Sequence, residues 1–372
     1  MLDRRFINRF DGWFVVVVLL ILSLGVLSIY TVTYAVSPKA HLPVYTKQMI
    51  WIFLGLIVFF AVAAIDYHEI ARWSTFLYTG CVVLLILVLL VGRTGMGAQR
   101  WLSLGFFDLQ PSEWAKLVVI LVLARYFSTR SRLKGLSLRE LIVPALWVTV
   151  PLLLVLKQPD LGTALVLLFI FAVLVFLIGL RSRTIGVSIL ISLMAFPFAW
   201  EMFWNALKPY QRNRLIAFIN PAVDPMGRGY HALQSKIAIG SGGVFGKGLF
   251  GGTQSQLKFL PESHTDFIFS VFAEEWGFMG VLLLLILYFL LIWWGLDVAD
   301  KAKDHLGVFL AVGVVAMLVF YLAVNIGMTL GVVPVVGVPL PLMSYGGNSI
   351  LTTLAGLGLL LNIKKRRFML FY

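Results

Sequence analysis

The chain has 372 residues, 60% of them hydrophobic and only 13% charged, with a mean hydropathy of +0.95. A soluble domain carries roughly 25% charged residues, so this composition excludes a water-facing globule, a disordered chain, a coiled coil and a disulfide scaffold, and predicts a polytopic membrane protein. The net charge of +13 does not point to nucleic acid, because the basic residues punctuate the gaps between apolar runs and form no continuous stripe.

About 20 apolar residues cross a bilayer. That criterion predicts an all-α bundle of ten spans, at 13–36, 44–65, 74–92, 112–127, 140–157, 160–179, 184–203, 266–295, 306–331 and 338–363. Arg4, Arg5 and Arg9 precede the first run as in a signal peptide, but no small-residue cleavage site follows, which predicts a retained first helix. With the N-terminus inside, 17 of the 30 Lys and Arg residues fall in cytoplasmic segments and 6 in short outward segments; the other 7 lie in one long outward loop at about 204–265. The positive-inside rule then predicts that both termini are cytoplasmic. No internal repeat, low-complexity tract or separate soluble domain is visible, so residues 1–372 read as one membrane domain with an outward polar cap.

Ionisable residues in or beside spans are costly and are functional candidates by default. In chain order, the lone Cys81 lies in an apolar run and reads as a buried, inert thiol. Gln110, Pro111 and Ser112 lead into the fourth span, where Glu113 and Lys116 form an i, i+3 pair. Pro111 and Ser112 suit a helix start, but a cap does not explain the pair, which reads as a substrate clamp or as a pair that sets the charge of a neighbouring acid. Asp160 follows Lys157-Gln158-Pro159 in a tight turn and could cap the sixth span.

In the long loop, Tyr210-Gln211-Arg212-Asn213-Arg214 and Gln234-Ser235-Lys236 suit either anion contact or lipid headgroups on an interfacial helix. Asp266, flanked by His264 and Thr265, opens the eighth span, and on a continuous helix it would share a face with Ser270, Glu274 and Gly277. A carboxylate there suits a general base or a helix N-terminal residue favoured by the macrodipole. Gly337, Pro339, Pro341, Gly346 and Gly347 break the tenth span around Ser344 and Tyr345. Non-helical backbone at such depth belongs where it is buried in protein or lines a wet cavity. The five histidines show no metal-ligand spacing, and no P-loop or nucleophile elbow is present.

GAQRWLSLG (97–105), LQPSEWAK (109–116), QPDLGT (158–163), YQRNRL (210–215), GYHALQSKIAIGSGGVFGKG (229–248), GTQSQLKFLPESHTDFIFSVFAEEWG (252–277) and GVPLPLMSYGG (337–347) together resemble the SEDS family of shape, elongation, division and sporulation proteins. The match runs from about residue 10 to 365, and the GTQSQ block resembles the elongation branch more than the division branch. The resemblance implies a multi-pass protein of the cytoplasmic membrane. It implies a glycosyltransferase that polymerises lipid II into glycan strands on the outer face during elongation, with a class B penicillin-binding protein and other elongation-complex membrane proteins as partners. It makes Asp266 the essential aspartate and places Arg100, Trp101, Glu113, Lys116, Asp160 and the 234–236 stretch in its cavity.

On that reading Asp266 acts as general base in an inverting transfer, and Arg212, Arg100 or Lys116 stabilises the departing diphosphate. A divalent cation (Mg or Mn) would assist, and no organic cofactor is expected. Trp101 offers a stacking face for a sugar or a wall for the lipid tail. The competing readings are a lipid II flippase, the division-type polymerase, and a non-catalytic scaffold for the transpeptidase. The clustering of polar residues on one side, without repeat symmetry, disfavours alternating access.

Overall fold

The structure is a computed structural model that describes residues 12–34, 43–95, 98–103, 105, 107–130, 135–182, 184–187, 194, 201, 204–205, 212, 228–257, 259–260 and 263–367. Its helices are α1 (Gly12–Tyr34), α2 (Val44–Ala64), α3 (Tyr67–Arg72), α4 (Ser74–Val91), α5 (Pro111–Ser128), α6 (Leu138–Lys157), α7 (Leu161–Ile178), α8 (Arg228–Ser241), α9 (Thr253–Gln256), α10 (Ile268–Asp300), α11 (His305–Thr329) and α12 (Gly347–Arg366). Seven of them are long and apolar enough to cross a membrane: α1, α2, α4, α6, α7, α10 and α11. The chain is a helical, multi-pass membrane protein.

The sequence-predicted fourth and tenth spans become α5 and α12, which are buried along nearly their whole length. They form the inside of the bundle, α5 against α4, α7 and α11, and α12 against α2. Helices shielded from lipid on all sides can carry the charges and small residues that lipid-facing ones cannot. A Cβ on Gly358 of α12 would lie 2.5 Å from the Phe59 carbonyl oxygen of α2, and one on Gly55 of α2 would lie 2.5 Å from Leu354. Such small residues let two membrane helices approach closely. Most of the predicted seventh span lies outside the described residues. The tenth helix starts at Gly347, nine residues later than expected, because 338–346 is an irregular loop, as the glycines and prolines there foretell.

Between α4 and α5 the chain departs from all-helical expectation. It forms a small antiparallel sheet of order β1-β2-β3, from β1 (Arg93–Gly95), β2 (Ala98–Ser103) and β3 (Asp108–Leu109). Arg93 pairs with Trp101, and Leu102 with Leu109. The sheet brings Arg100 back over the start of α7.

Helix α10 is interrupted at Gly277 (φ 64°, ψ −165°), a left-handed conformation that a residue without Cβ adopts at little cost. The loop after α8 fills the break. Lys247 and Gly248 donate their amides to the Glu274 and Glu275 carbonyls (3.0 Å each), while Phe278 and Met279 donate theirs to Gly243 (2.9 Å) and Val244 (3.0 Å). The backbone groups orphaned by the break are thus satisfied, which the membrane interior requires.

At one end of the bundle His68 sits between two carboxylates, Nδ1 at 2.9 Å from Asp66 and Nε2 at 2.6 Å from Asp304. Arg366 closes the group at 3.0 Å from Asp66, and Arg125 donates to the Arg72 carbonyl nearby (2.9 Å). Asp304 caps α11 through the Gly307 amide (2.8 Å), and Asp66 caps α3. The opposite end carries the sheet, the 337–347 loop and Asp266.

Candidate functional site

Asp266 lies in a turn, residues 263–267, and α10 begins only at Ile268. The expected helical face shared by Asp266, Ser270, Glu274 and Gly277 is therefore corrected. Ser270 Oγ pairs with Ser235 Oγ at 2.6 Å, Glu274 pairs with Lys247 at 2.7 Å, and Gly277 is the break. Nor does Asp266 occupy the cap position of α10, which is Phe267. Spacing arguments assume a continuous helix, and here the helix starts two residues too late and stops at the glycine.

The turn is held carbonyl by carbonyl. The His264 carbonyl accepts the Tyr345 amide at 2.9 Å, the Thr265 carbonyl accepts the Ser344 hydroxyl at 2.7 Å, and the Asp266 carbonyl accepts Asn325 Nδ2 at 3.1 Å. Asn325 also donates to the Val338 carbonyl (2.7 Å). The Asp266 side chain is half-buried, and its Oδ2 would lie 3.4 Å from a Cβ at Gly337. The His264 and Tyr345 ring centroids lie 5.7 Å apart, with the planes tilted by 50°. The Ser344 hydroxyl is buried and also accepts the Leu340 amide (2.8 Å), so it staples the loop and is not offered to a substrate.

One helical turn from Asn325 on α11, Tyr321 meets the second polar group. Its hydroxyl is 3.4 Å from Glu113 Oε1 and accepts a hydrogen bond from Lys116. Lys116 and Glu113 form an ion pair at 2.7 Å, and Thr352 of α12 donates to Glu113 (3.3 Å). Lys116 has no solvent exposure. The expectation that it could meet a departing diphosphate is therefore corrected: its charge is spent on Glu113 inside the bundle, and removing either partner would strand the other. The i, i+3 spacing showed the pair, but not that neighbours on α11 and α12 would seal it.

The third group surrounds Asp160. It caps α7 through the Thr163 amide (3.4 Å) and hydroxyl (2.9 Å), as the plainer reading expected. It also lies 3.8 Å from Arg100, and 3.4 Å from both Gln110 Nε2 and Ser112 Oγ. Arg100 further donates to the Gln158 (3.4 Å) and Pro159 carbonyls. Residues 336–338 lie between the first group and the start of α7, which Asp160 caps. A Cβ on Gly162 at the start of α7 would meet Val338 at 2.8 Å and the Val336 carbonyl oxygen at 3.3 Å, while the other side of this segment meets Asn325 and Asp266.

Trp101 is half-buried on β2. On α8, Lys236 is exposed, with its Nζ 2.6 Å from where a Gly331 side chain would begin, and Gln234 is half-buried. Arg212 donates to the Trp204 carbonyl (2.8 Å). Gln211 lies outside the described residues. Tyr321, Asn325, Thr352 and Gln48 were not singled out in the sequence, although Asn325 and Gln48 carried the signal of an amide inside an apolar run. Among the described residues no group of three or more His, Cys, Asp or Glu side chains is arranged to hold a metal ion. Glu113 is committed to Lys116, and Asp160 to its cap and Arg100. These donors do not fit a preformed divalent-cation cage.

Fold and site thus define a polytopic helical membrane protein with a half-buried aspartate on a pinned turn at one end of the bundle, beside the sealed Glu113–Lys116 pair and the partly exposed Arg100–Asp160 pair. The chain matches the family model for cell cycle proteins of the FtsW, RodA and SpoVE type over residues 12–368, and it belongs to that family. It is 44% identical over 317 residues to the peptidoglycan glycosyltransferase MrdB of Escherichia coli K12, covering 85% of this chain and 84% of the relative. It is 34% identical to the peptidoglycan glycosyltransferase RodA of Treponema pallidum, covering 98% and 99%. Its fold is similar, with a TM-score of 0.81 and 36% identity, to a chain in a peptidoglycan synthase complex that coordinates polymerization and crosslinking, covering 96% of this chain and 98% of that one.

Proposed function

We propose that the chain is a peptidoglycan glycosyltransferase of the elongation type, that it polymerises lipid II, and that Asp266 is its general base. The observation that carries the site assignment is the pinned turn. Three consecutive carbonyls, from residues 264 to 266, are each held by a hydrogen bond from the 344–345 loop or α11, which fixes the backbone from which a half-buried carboxylate projects. Positional precision of this kind is what a proton acceptor requires.

Orientation follows from charge. The end opposite Asp266 gathers Arg72, Arg125, Lys301, Lys364 and Arg366 around Asp66, Asp297 and Asp304, and basic residues favour the cytoplasmic face. Asp266 then faces outward from the cytoplasmic membrane, with both termini inside. Nucleotide sugars do not reach that face, so the donor arrives on a lipid.

In the proposed step, Asp266 accepts the proton of the acceptor's GlcNAc 4-hydroxyl. The oxygen forms a bond to the donor's MurNAc C1, the bond from C1 to the diphosphate oxygen breaks with inversion, and undecaprenyl diphosphate leaves. Arg212 and the exposed Lys236 are the cations we assign to the departing anion. The Glu113–Lys116 pair holds α5 to α11, and through Tyr321 and Asn325 supports the turn. No step is routed through a metal. A class B penicillin-binding protein is the partner we assign for crosslinking, in keeping with the complex to which the fold is similar.

The test is gel analysis of purified protein given lipid II in detergent. Wild type makes polymer, and Asp266→Asn, equally well folded, loses about 10²–10⁴-fold in rate. Wild-type-like polymerisation by Asp266→Asn removes the base assignment. Absence of polymer from wild type favours a flippase, which has no bilayer to work across in detergent, or a scaffold.

A further inference from the structure

Gln48 lies just inside the start of α2 and is fully buried, in a helix whose other faces largely meet lipid. Both ends of its amide are used on the irregular loop before α12. Nε2 donates to the Ser344 carbonyl at 3.1 Å, and Oε1 accepts the Gly346 amide at 3.3 Å. A carboxylate could not donate there, an ammonium could not accept, and an apolar side chain could do neither.

The loop that it grips does not hold itself. Leu342 sits at φ 64°, a left-handed conformation that a residue with a branched side chain keeps only when its surroundings over-determine it. Those surroundings are α1 and α2. A Cβ on Gly25 of α1 would lie 2.7 Å from Met343 Cα, and the Trp51 ring of α2 lies 2.4 Å from where a Gly347 side chain would start. Gln48 supplies the polar link of this cradle.

From the loop the connection to Asp266 is direct. Ser344, whose carbonyl Gln48 holds, donates its hydroxyl to Thr265 (2.7 Å), and Tyr345, between the two Gln48 contacts, donates its amide to His264 (2.9 Å). We infer that Gln48 is a positioning residue for Asp266: it clamps residues 344–346, which fix the turn that aims the carboxylate. This rests on the reading of Asp266 as general base. Removing the clamp leaves α2 docked on α12 at Gly55 and Gly358, so the released part is the loop and the turn, not the bundle.

The experiment measures lipid II polymerisation by the purified full-length protein across pH, for wild type, Asp266→Asn, Gln48→Met and Gln48→Glu. Gln48→Met keeps the length and apolar stem but has no donor. It is expected to lose roughly 10- to 100-fold in kcat, to keep KM for lipid II within about twofold, and to move the acidic limb of the kcat profile. Gln48→Glu retains the acceptor for Gly346 but sets an unpaired carboxylate against the Ser344 carbonyl, and is expected to lose at least as much kcat as Gln48→Met. Wild-type kcat with an unmoved pH profile in folded Gln48→Met overturns the role of Gln48 and leaves that of Asp266 standing, as does a defect confined to KM. Full activity in Asp266→Asn overturns the base assignment, and the role of Gln48 with it. Should Gln48→Met not give monodisperse protein, Gln48→Glu is judged by the same two outcomes.

Discussion

The two ends of the bundle solve the problem of polar groups in an apolar protein in opposite ways. At the end that holds Asp66, His68, Asp304 and Arg366, Asp66 and Asp304 are each paired and each cap a helix, and the helices start and stop by local rules. Asp66 accepts from the His68 amide at 2.9 Å, Asp304 from the Gly307 amide at 2.8 Å, and Ser137 with Glu140 forms a capping box on α6. At the Asp266 end the backbone is irregular, Leu342 and Gly337 are left-handed, and order comes from contacts between segments far apart in sequence. The first end anchors the fold, and the second holds the turn that carries Asp266, the base we propose. Natural sequences depart from local consistency chiefly where function requires it.

The largest expected effect separates these roles. Asp266→Asn should lower polymerisation by about 10²–10⁴-fold while leaving the thermal unfolding midpoint in detergent close to wild type. A large fall in that midpoint would make Asp266 a structural residue and erase the contrast between the ends.

Next comes the sealed pair that supports the site from inside. Lys116→Met leaves Glu113 buried without its partner and should destabilise by about 3–5 kcal/mol, measured by thermal or denaturant unfolding. The double variant Glu113→Gln with Lys116→Met should recover much of that loss. If the single and double variants are equally unstable, the pair is not the coupled unit that its geometry indicates.

At the other end, Asp304→Asn removes the charge shared with His68 and weakens the cap of α11. A cost of about 1 kcal/mol is expected, with the polymerisation rate unchanged. A loss of rate without a loss of stability would show that this end reports to the site.

The smallest effect depends on pH. Burial tends to raise the pKa of Asp66, but hydrogen bonds from the His68 amide and ring, together with the Arg366 charge, outweigh it and hold the carboxyl below its ordinary value. A lowered folded pKa means that the contribution is full above the unfolded value of about 3.9 and is lost as pH falls through the folded one. The difference in unfolding midpoint between wild type and Asp66→Asn should therefore shrink as pH falls below about 4, by a few degrees at most. A difference that grows below about pH 4 would contradict the pairing.

Apolar run lengths located α1, α2, α4, α6, α7, α10 and α11 to within a few residues, because a membrane-spanning helix is a local object whose length the bilayer sets. The glycines and prolines of 337–347 foretold a broken span for an equally local reason. The register at Asp266 was not legible, since nothing in the sequence near residues 266–268 says that the helix waits for Ile268 or that α8's loop replaces the backbone bonds lost at Gly277. The role of Gln48 was hidden too. An amide in an apolar run announces a partner but does not name it, and its partners lie almost three hundred residues away.

By itself the sequence determined that this chain lives in a membrane, where most of its helices lie, and to which family its motifs are similar. Composition and periodicity are properties of neighbouring residues, which solvent reads directly. Tertiary structure alone decided that Lys116 is sealed against Glu113, that Ser344 is a staple, and that three held carbonyls fix the backbone turn carrying Asp266. Each of those depends on which distant segments meet, and close packing, not local preference, settles that.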